Sequence, residues 1–157
     1  MNVARLMAAL SPCTVHGLQG EGPEVTALHY RSQDVQPGGV FVAIRGTAAD
    51  GHAFIDDARR RGAVAVVTEK PVAGAGIVAT VPDTRRALAE LAAVFYGRPS
   101  EQMTVVAVTG TNGKTTVTYL VESILTHAGR PAGVVGTINY RHPGSSHPAS
   151  VTTPESL

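Results

Sequence analysis

Thr109-Gly110-Thr111-Asn112-Gly113-Lys114-Thr115-Thr116 stands between a continuously apolar run and an amphipathic stretch. The run, residues 104–108, is apolar after its first residue, the pattern of a parallel strand buried on both faces. After the loop, Val117, Leu120, Val121, Ile124 and Leu125 recur at i, i+3, i+4, i+7 and i+8, which predicts a helix over residues 114–128 that Gly129 ends. Residues 132–135 resume as a strand. Strand, glycine loop, helix, strand is the order a parallel α/β sheet requires. Within the loop, Gly110 and Gly113 let the backbone approach a polyphosphate, while successive N–H groups and the helix N-terminus supply positive potential. Lys114 reaches the β/γ phosphates and Thr115 offers a hydroxyl to Mg²⁺. Thr111, Asn112 and Thr116 complete the stretch that would wrap the nucleotide. The general phosphate-loop pattern has a glycine five residues before the second glycine; Val108 stands there, so the loop is a shortened variant. A plain tight turn followed by a solvated lysine would leave the flanking strand and helix unexplained. Nucleotide binding is therefore the local inference, although it names no reaction.

Upstream, the turn signal Pro37-Gly38-Gly39 precedes an apolar run at residues 40–44, and Arg61-Gly62 precedes another at residues 63–67. Both read as buried strands. Residues 52–61 between them read as a helix carrying Phe54, Ile55 and Ala58 on one face, with Gly62 as its stop. Residues 77–81 give a further strand. Asp83 then caps a helix whose Leu88, Leu91, Ala92 and Phe95 follow helical spacing and whose exit is Gly97-Arg98-Pro99. That exit is the expected domain boundary, dividing the chain into residues 1–99 and 100–157. Residues 1–10 read as a small amphipathic helix, and residues 71–76 and 140–150 as loops. From Met103 onward the chain has only about half of the roughly 100 residues of a free-standing doubly wound domain, so the second domain is expected to be incomplete and to leave an apolar face uncovered.

Composition narrows the partners. A formal net charge of +1 with scattered basic residues leaves no electrostatic footprint for nucleic acid or an anionic membrane. No window approaches the roughly 18 apolar residues of a membrane span, and residues 1–10 lack a signal-peptide pattern. Cys13 is the one cysteine, which excludes an internal disulfide and a multi-cysteine zinc site. A cytoplasmic protein is expected.

The form Thr-Gly-Thr-Asn-Gly-Lys-Thr-Thr resembles the ATP loop of the Mur ligases, and the rest of the chain carries the resemblance further. Tyr30-Arg31-Ser32-Gln33, Phe41-Val42-Ala43-Ile44-Arg45-Gly46 and Asp50-Gly51-His52-Ala53-Phe54-Ile55 are similar to that family's uridine-nucleotide-binding domain. Gly136-Thr137-Ile138 and Val151-Thr152-Thr153-Pro154-Glu155 look like the family member that adds the third amino acid of the peptidoglycan precursor. The resemblance implies an α/β fold, with a small N-terminal domain followed by the start of a parallel-sheet ATPase domain. It also implies ATP and Mg²⁺ as cofactors, the metal resting on Thr115. The reaction implied is amide-bond formation through an acyl phosphate between UDP-N-acetylmuramoyl-L-alanyl-D-glutamate and a diamino acid, diaminopimelate or lysine. By the same resemblance Tyr30, Ser32, Thr47, Ala48 and Ala49 contact the uridine nucleotide, and Thr152 and Thr153 hold the muramoyl-peptide part. The family's Asp-Ser-Arg is here Arg31-Ser32-Gln33, a departure that bears on uridine binding. The family's main catalytic residues, further magnesium ligands and carbamylated lysine would lie beyond Leu157, so this chain alone is expected to be inactive. A non-catalytic nucleotide-binding module, and another phosphate-loop NTPase or kinase, are the alternatives.

Several residues attract chemistry without supporting it. His16, His29, His127, His142 and His147 lack metal-ligand spacing. Cys13 has no basic neighbour in sequence to activate it. Asp56-Asp57 beside Arg59-Arg60-Arg61 reads as a solvated helix face with local charge pairs. His52 fits the turn before a helix as well as any catalytic role, and Glu155 as well an exposed residue near the threonine pair as a nucleotide contact.

Overall fold

The computed structural model describes residues 1–46, 49–74, 76–149 and 154–157. Contacts divide the chain into two compact units, Met1–Met103 with Ser156–Leu157, and Thr104–Glu155. In the first, α1 (Val3–Met7), β1 (Thr14–His16), β2 (Ala27–His29), β3 (Gly39–Val42), α2 (Ile55–Arg60), β4 (Ala65–Thr68), β5 (Ile77–Thr80) and α3 (Thr84–Phe95) follow one another. The sheet runs β1-β5-β4-β3-β2, with β2 to β5 mutually parallel and β1 antiparallel on one edge.

The period-2 alternation of the strands sorts the core into two layers. Val40, Val42, Val67 and Ala79 face Val3 and Leu6 of α1 and Leu88 and Leu91 of α3. Phe41, Ala43 and Val66, one residue out of phase, face Ile55 and Ala58 of α2 and Val35. All four residues of β3 and of β4 are buried, as central parallel strands covered on both faces should be. Asp83 caps α3 by accepting hydrogen bonds from the N–H groups of Arg85 (2.9 Å) and Arg86 (3.0 Å).

The helix expected over residues 52–61 is split into a 3-10 turn at Gly51–Phe54 and α2 proper. The tighter winding advances the phase, so Phe54, expected on the buried face, is 44% exposed while Ile55 and Ala58 are buried. The three-residue strands β1 and β2 are too short for a periodic pattern to announce them.

The second unit departs further. It holds α4 (Lys114–His127) and three strands, β6 (Val134–Val135), β7 (Asn139–His142) and β8 (Ser145–Pro148). Residues 104–108, expected as a buried parallel strand, form no ladder, and Val105 and Val106 are about two-thirds exposed (67% and 63%). An apolar run declares a demand for burial; a strand also needs a neighbour, and none of the described residues pairs with this one. The strand expected at residues 132–135 is reduced to two residues and pairs antiparallel with β7, so this unit's sheet is antiparallel. The stretch expected as a loop at residues 140–150 is largely a hairpin: Pro143-Gly144 turns the chain between β7 and β8, with Gly144 at φ +86°, where only glycine sits easily. On α4 the apolar stripe is uncovered, Leu120 at 59% and Ile124 at 67% exposure. None of the helices among the described residues is long and apolar enough to cross a membrane.

Candidate functional site: a phosphate loop and a strand-exit edge

Gly113 lies at φ +76° as the residue that starts α4, and Gly110 at φ +148° opens the turn before it. The 14-residue helix leaves its first N–H groups without intrahelical partners beside an exposed loop, the arrangement that attracts phosphate. Lys114 folds back over the loop, its Nζ donating to the carbonyls of Gly110 and Thr111. Its ammonium is thus held against the loop by two carbonyls, with which a phosphate bound at the loop would compete. Thr111, Asn112 and Thr116 are exposed around the turn, and Thr115, half-buried, follows Lys114 in the first helical turn. Among the described residues no group of three or more His, Cys, Asp and Glu could hold a metal ion. From this unit a magnesium ion would find a hydroxyl and the nucleotide's own oxygens, which suits an ion that keeps most of its shell as water and phosphate.

In the first unit the candidate uridine-binding residues gather at one edge of the sheet. Because β2 and β3 are parallel neighbours, their C-terminal ends emerge side by side. Tyr30 and Ser32 follow β2, and Ala49 belongs to the turn that follows β3. The C-terminal edge of a parallel sheet is where α/β folds take their ligands. Thr47, Ala48, Thr152 and Thr153 lie outside the described residues.

The Ser32 hydroxyl is committed to Asp57, and Arg61 Nε donates to the same carboxylate at 2.9 Å. These two bonds, with desolvation opposing them, hold the Asp57 carboxyl below its ordinary range. Arg61 also donates to the Gln33 carbonyl (3.3 Å), and Arg31 pairs with Asp34 (3.6 Å). Asp57 is therefore more than one end of a solvated charge pair: from α2, beyond β3 in the chain, it accepts the hydrogen bond of the Ser32 hydroxyl. The serine-aspartate contact spans residues far apart in sequence, so nothing local could announce it.

A second network was equally hidden. Asp50 accepts from the His52 N–H (3.0 Å), and His52 Nδ1 lies 2.6 Å from the same oxygen. His52 Nε2 accepts from the Glu69 N–H at 3.1 Å. With Nε2 an acceptor, the ring proton belongs on Nδ1, donated to Asp50. The Asp50 carboxyl is lowered chiefly by the His52 N–H bond. Glu69 in turn accepts from the Thr84 N–H (3.1 Å) and hydroxyl (3.0 Å) at the start of α3. The tripeptide Asp50-Gly51-His52 was the one sequence signal of this chain of bonds.

Elsewhere, His29 has a buried Nε2 with no hydrogen-bond partner among the described residues, and burial pushes its pKa down against the pull of Asp34. Burial raises the Cys13 thiol, which packs against the core. An open cleft of about 460 Å³ in the second unit lies along Glu122, Thr126, Arg141 and Ser145 and includes no residue of the phosphate loop. Arg141 there is held by Glu122 and stacks 3.9 Å from the Tyr119 ring centroid.

A glycine loop at a helix N-terminus in one unit, and a parallel-sheet edge in the other, give a two-part α/β protein with two candidate ligand sites. Residues 24–96 match the family model described as Mur ligase family, catalytic domain, and residues 108–157 match the Mur ligase middle domain; the chain belongs to the Mur ligase family. Over its whole length it is 43% identical to the UDP-N-acetylmuramoyl-L-alanyl-D-glutamate--2,6-diaminopimelate ligase of Geobacillus thermodenitrificans, covering 32% of that protein. It is 47% identical to the ligase of the same name from Geobacter sulfurreducens, covering 31% of it. The chain thus spans about a third of the length of the curated relatives it matches. Among solved structures, a UDP-N-acetylmuramoyl-L-alanyl-D-glutamate--2,6-diaminopimelate ligase aligns over 99% of this chain and 32% of its own, with TM-score 0.69 at 21% identity, a likeness of fold. The UDP-N-acetylmuramoylalanyl-D-glutamyl-2,6-diaminopimelate--D-alanyl-D-alanyl ligase of Acinetobacter baumannii aligns over 79% of this chain and 28% of its own, at TM-score 0.62 and 28% identity.

Proposed function

We propose that the chain is part of a cytoplasmic, ATP-dependent ligase that joins an amine of diaminopimelate to the free glutamyl carboxylate of UDP-N-acetylmuramoyl-L-alanyl-D-glutamate. The observation that carries this reading is the full-length likeness, at 43% and 47% identity, to two ligases of that name, in a chain whose phosphate loop has the geometry for ATP. In this reading residues 1–99 form the uridine-nucleotide domain and residues 100–157 begin the ATP domain. Tyr30, Ser32 and Ala49, with Thr47 and Ala48, meet the uridine nucleotide; Thr152 and Thr153 meet the muramoyl-peptide; residues 110–116 hold ATP.

The chemistry follows from charge and position. The glutamyl carboxylate attacks the γ-phosphorus, the bond to the bridging oxygen breaks, ADP leaves, and an acyl phosphate forms. The amine then displaces inorganic phosphate and gives the amide. Backbone N–H groups at the start of α4 and the Lys114 ammonium offset the negative charge on the transferred phosphoryl group. Thr115 is the residue of this chain that would hold Mg²⁺, and the ion would supply further charge neutralisation. Selection of the amine requires the remaining two-thirds of a protein the length of the relatives, so activity belongs to the complete ligase.

Calorimetric titration tests the reading. UDP-N-acetylmuramoyl-L-alanyl-D-glutamate is expected to bind saturably and to bind more weakly to Ser32→Ala. Absence of saturable heat with a folded wild-type chain sinks the uridine assignment. Amide formation from lysine in place of diaminopimelate, by the chain joined to the rest of such a ligase, sinks the choice of amine. Binding of both ligands by that complete protein without any amide product points instead to a nucleotide-binding module.

A further inference from the structure

The hydrogen-bond chain Asp50–His52–Glu69–Thr84 joins the exits of β3, β4 and β5, yet neither the phosphate loop nor the Ser32–Asp57 pair uses it. The turn after β3 is already closed by backbone bonds: Gly51 N–H donates to the Ile44 carbonyl and Gly46 N–H to the Ala49 carbonyl, both at 2.9 Å. Arg45 and Asp50 form an isolated antiparallel bridge, with Arg45 Nε 3.8 Å from the Asp50 carboxylate. A Cβ on Gly51 would stand 2.6 Å from the Ile44 oxygen, so the returning limb lies directly on the outgoing one. The described limbs of the turn, residues 44–46 and 49–51, are thus tied to each other. Among the described residues, no backbone bond from these limbs reaches the end of β4.

His52 reaches it. Its ring is 11% exposed and bonded on both sides, Nδ1–H to Asp50 within the turn and Nε2 to the N–H of Glu69 at the end of β4. Glu69 carries the connection on to the N-terminus of α3 through both groups of Thr84. Only one tautomer makes both ring bonds, so the imidazole acts as a strut of fixed length between two strand exits. The turn it braces is the one that, with the end of β2, makes up the edge assigned above to the uridine nucleotide.

We propose that His52, oriented by Asp50, is a positioning residue for nucleotide binding. It holds the turn after β3 in place against β4, so that a UDP-linked ligand meets a preformed edge. The inference rests on the reading of this edge as the uridine site. A pre-ordered loop binds more tightly because the ordering cost has been met in folding; the expected signature is a loss of ligand affinity in a variant that still folds.

The experiment uses the full chain with UDP-N-acetylmuramoyl-L-alanyl-D-glutamate as probe, titrated well below the melting transition. His52→Phe keeps a ring and loses both bonds; it is expected to weaken binding about tenfold. His52→Asn, too short to reach Glu69, carries the same test should the ring replacement fail to fold. His52→Gln, which can still place an acceptor at the Glu69 N–H, is expected to recover binding to within about threefold of wild type, a rescue that bulk destabilisation would not produce. A long-range proton–nitrogen spectrum of the wild type is expected to show His52 protonated on Nδ1 only. Wild-type binding matched within twofold by a folded His52→Phe or His52→Asn overturns the proposal and leaves the uridine site standing. A ring protonated on Nε2 overturns it whatever the affinities. A folded wild type that shows the Nδ1–H signature but binds no UDP ligand overturns the uridine reading, and the positioning role with it.

Discussion

Leu88 on α3 and Ile124 on α4 both lie on the apolar stripe of an amphipathic helix, but Leu88 is 0% exposed and Ile124 is 67% exposed. Replacing each by alanine separates pattern from packing. Leu88→Ala deletes three carbons from a site enclosed by α1 and the sheet; at about 0.8 kcal/mol per buried methylene the transfer loss is roughly 2.4 kcal/mol, and an unrelaxed cavity brings the total to about 3–4 kcal/mol. Ile124→Ala forfeits less than about 1 kcal/mol of partly realised burial and gains a few tenths in helix propensity, leaving a net change near zero. For a unit of roughly a hundred residues, with about 4–8 °C per kcal/mol, the first change lowers the melting temperature by about 12–32 °C and the second by no more than about 3 °C. Thermal melts followed by far-ultraviolet circular dichroism, on the whole chain and on Met1–Met103, read both, and the Leu88 shift should be the same in the two. If Ile124→Ala costs as much as Leu88→Ala, α4 is buried in solution and the uncovered stripe described above is wrong.

Asp83→Ala removes the carboxylate that accepts from the N–H groups of Arg85 and Arg86, and should cost about 1 kcal/mol in a urea titration with unchanged slope, most of it restored by Asp83→Asn. Gly51→Ala forces a methyl group to 2.6 Å from the Ile44 oxygen and should destabilise the first unit by about 1–3 kcal/mol, read by the same titration. His29 is held neutral by burial, so its folded pKa lies below its unfolded value near 6.5. The unfolded chain takes up the proton first, and the stability this site contributes is complete above that value and lost as pH falls through the folded pKa. His29→Gln should therefore flatten the acid side of a plot of urea midpoint against pH; an unchanged slope refutes the assignment. Lys114→Met should abolish measurable Mg·ATP binding by calorimetry while shifting stability by no more than about 0.5 kcal/mol, because the side chain bonds only to carbonyls of its own exposed loop.

The first unit was legible because its signals are local and redundant. Apolar runs at residues 40–44 and 63–67, a helix with Gly62 as its stop, and Asp83 before Leu88 and Leu91 each state a pairing that the sheet then satisfies from within the same unit. The second unit carries signals of the same quality at residues 104–108 and 114–128, and only α4 forms as written. A helix closes its hydrogen bonds within itself, so Lys114–His127 needs no partner to exist. A strand makes its ladder hydrogen bonds only with neighbouring strands, and residues 104–108 have no such neighbour among those described. The contacts that order the candidate uridine edge were illegible for a related reason: Ser32 with Asp57, and His52 with Glu69, bring together residues that no periodicity connects.

Two glycines show how far sequence alone can go toward function. Gly51 opens the 3-10 turn before α2 and Gly113 stands just before α4, and of the two only Gly113 belongs to a sequence motif with a ligand attached to it. A Cβ at Gly51 would meet the backbone of Ile44 and Ala43 within about 3 Å, so its missing side chain is already filled by the fold. A Cβ at Gly113 would meet nothing within 4 Å, and the residue is glycine because the backbone turns through φ +76°. The first absence is a packing constraint, and substituting it should cost stability before it costs anything else. The second leaves room over a row of outward-facing N–H groups at the start of a helix, and substituting it should cost phosphate affinity while the first unit melts unchanged. A Gly113→Ala chain that lost stability in the first unit and kept nucleotide affinity would reverse that distinction.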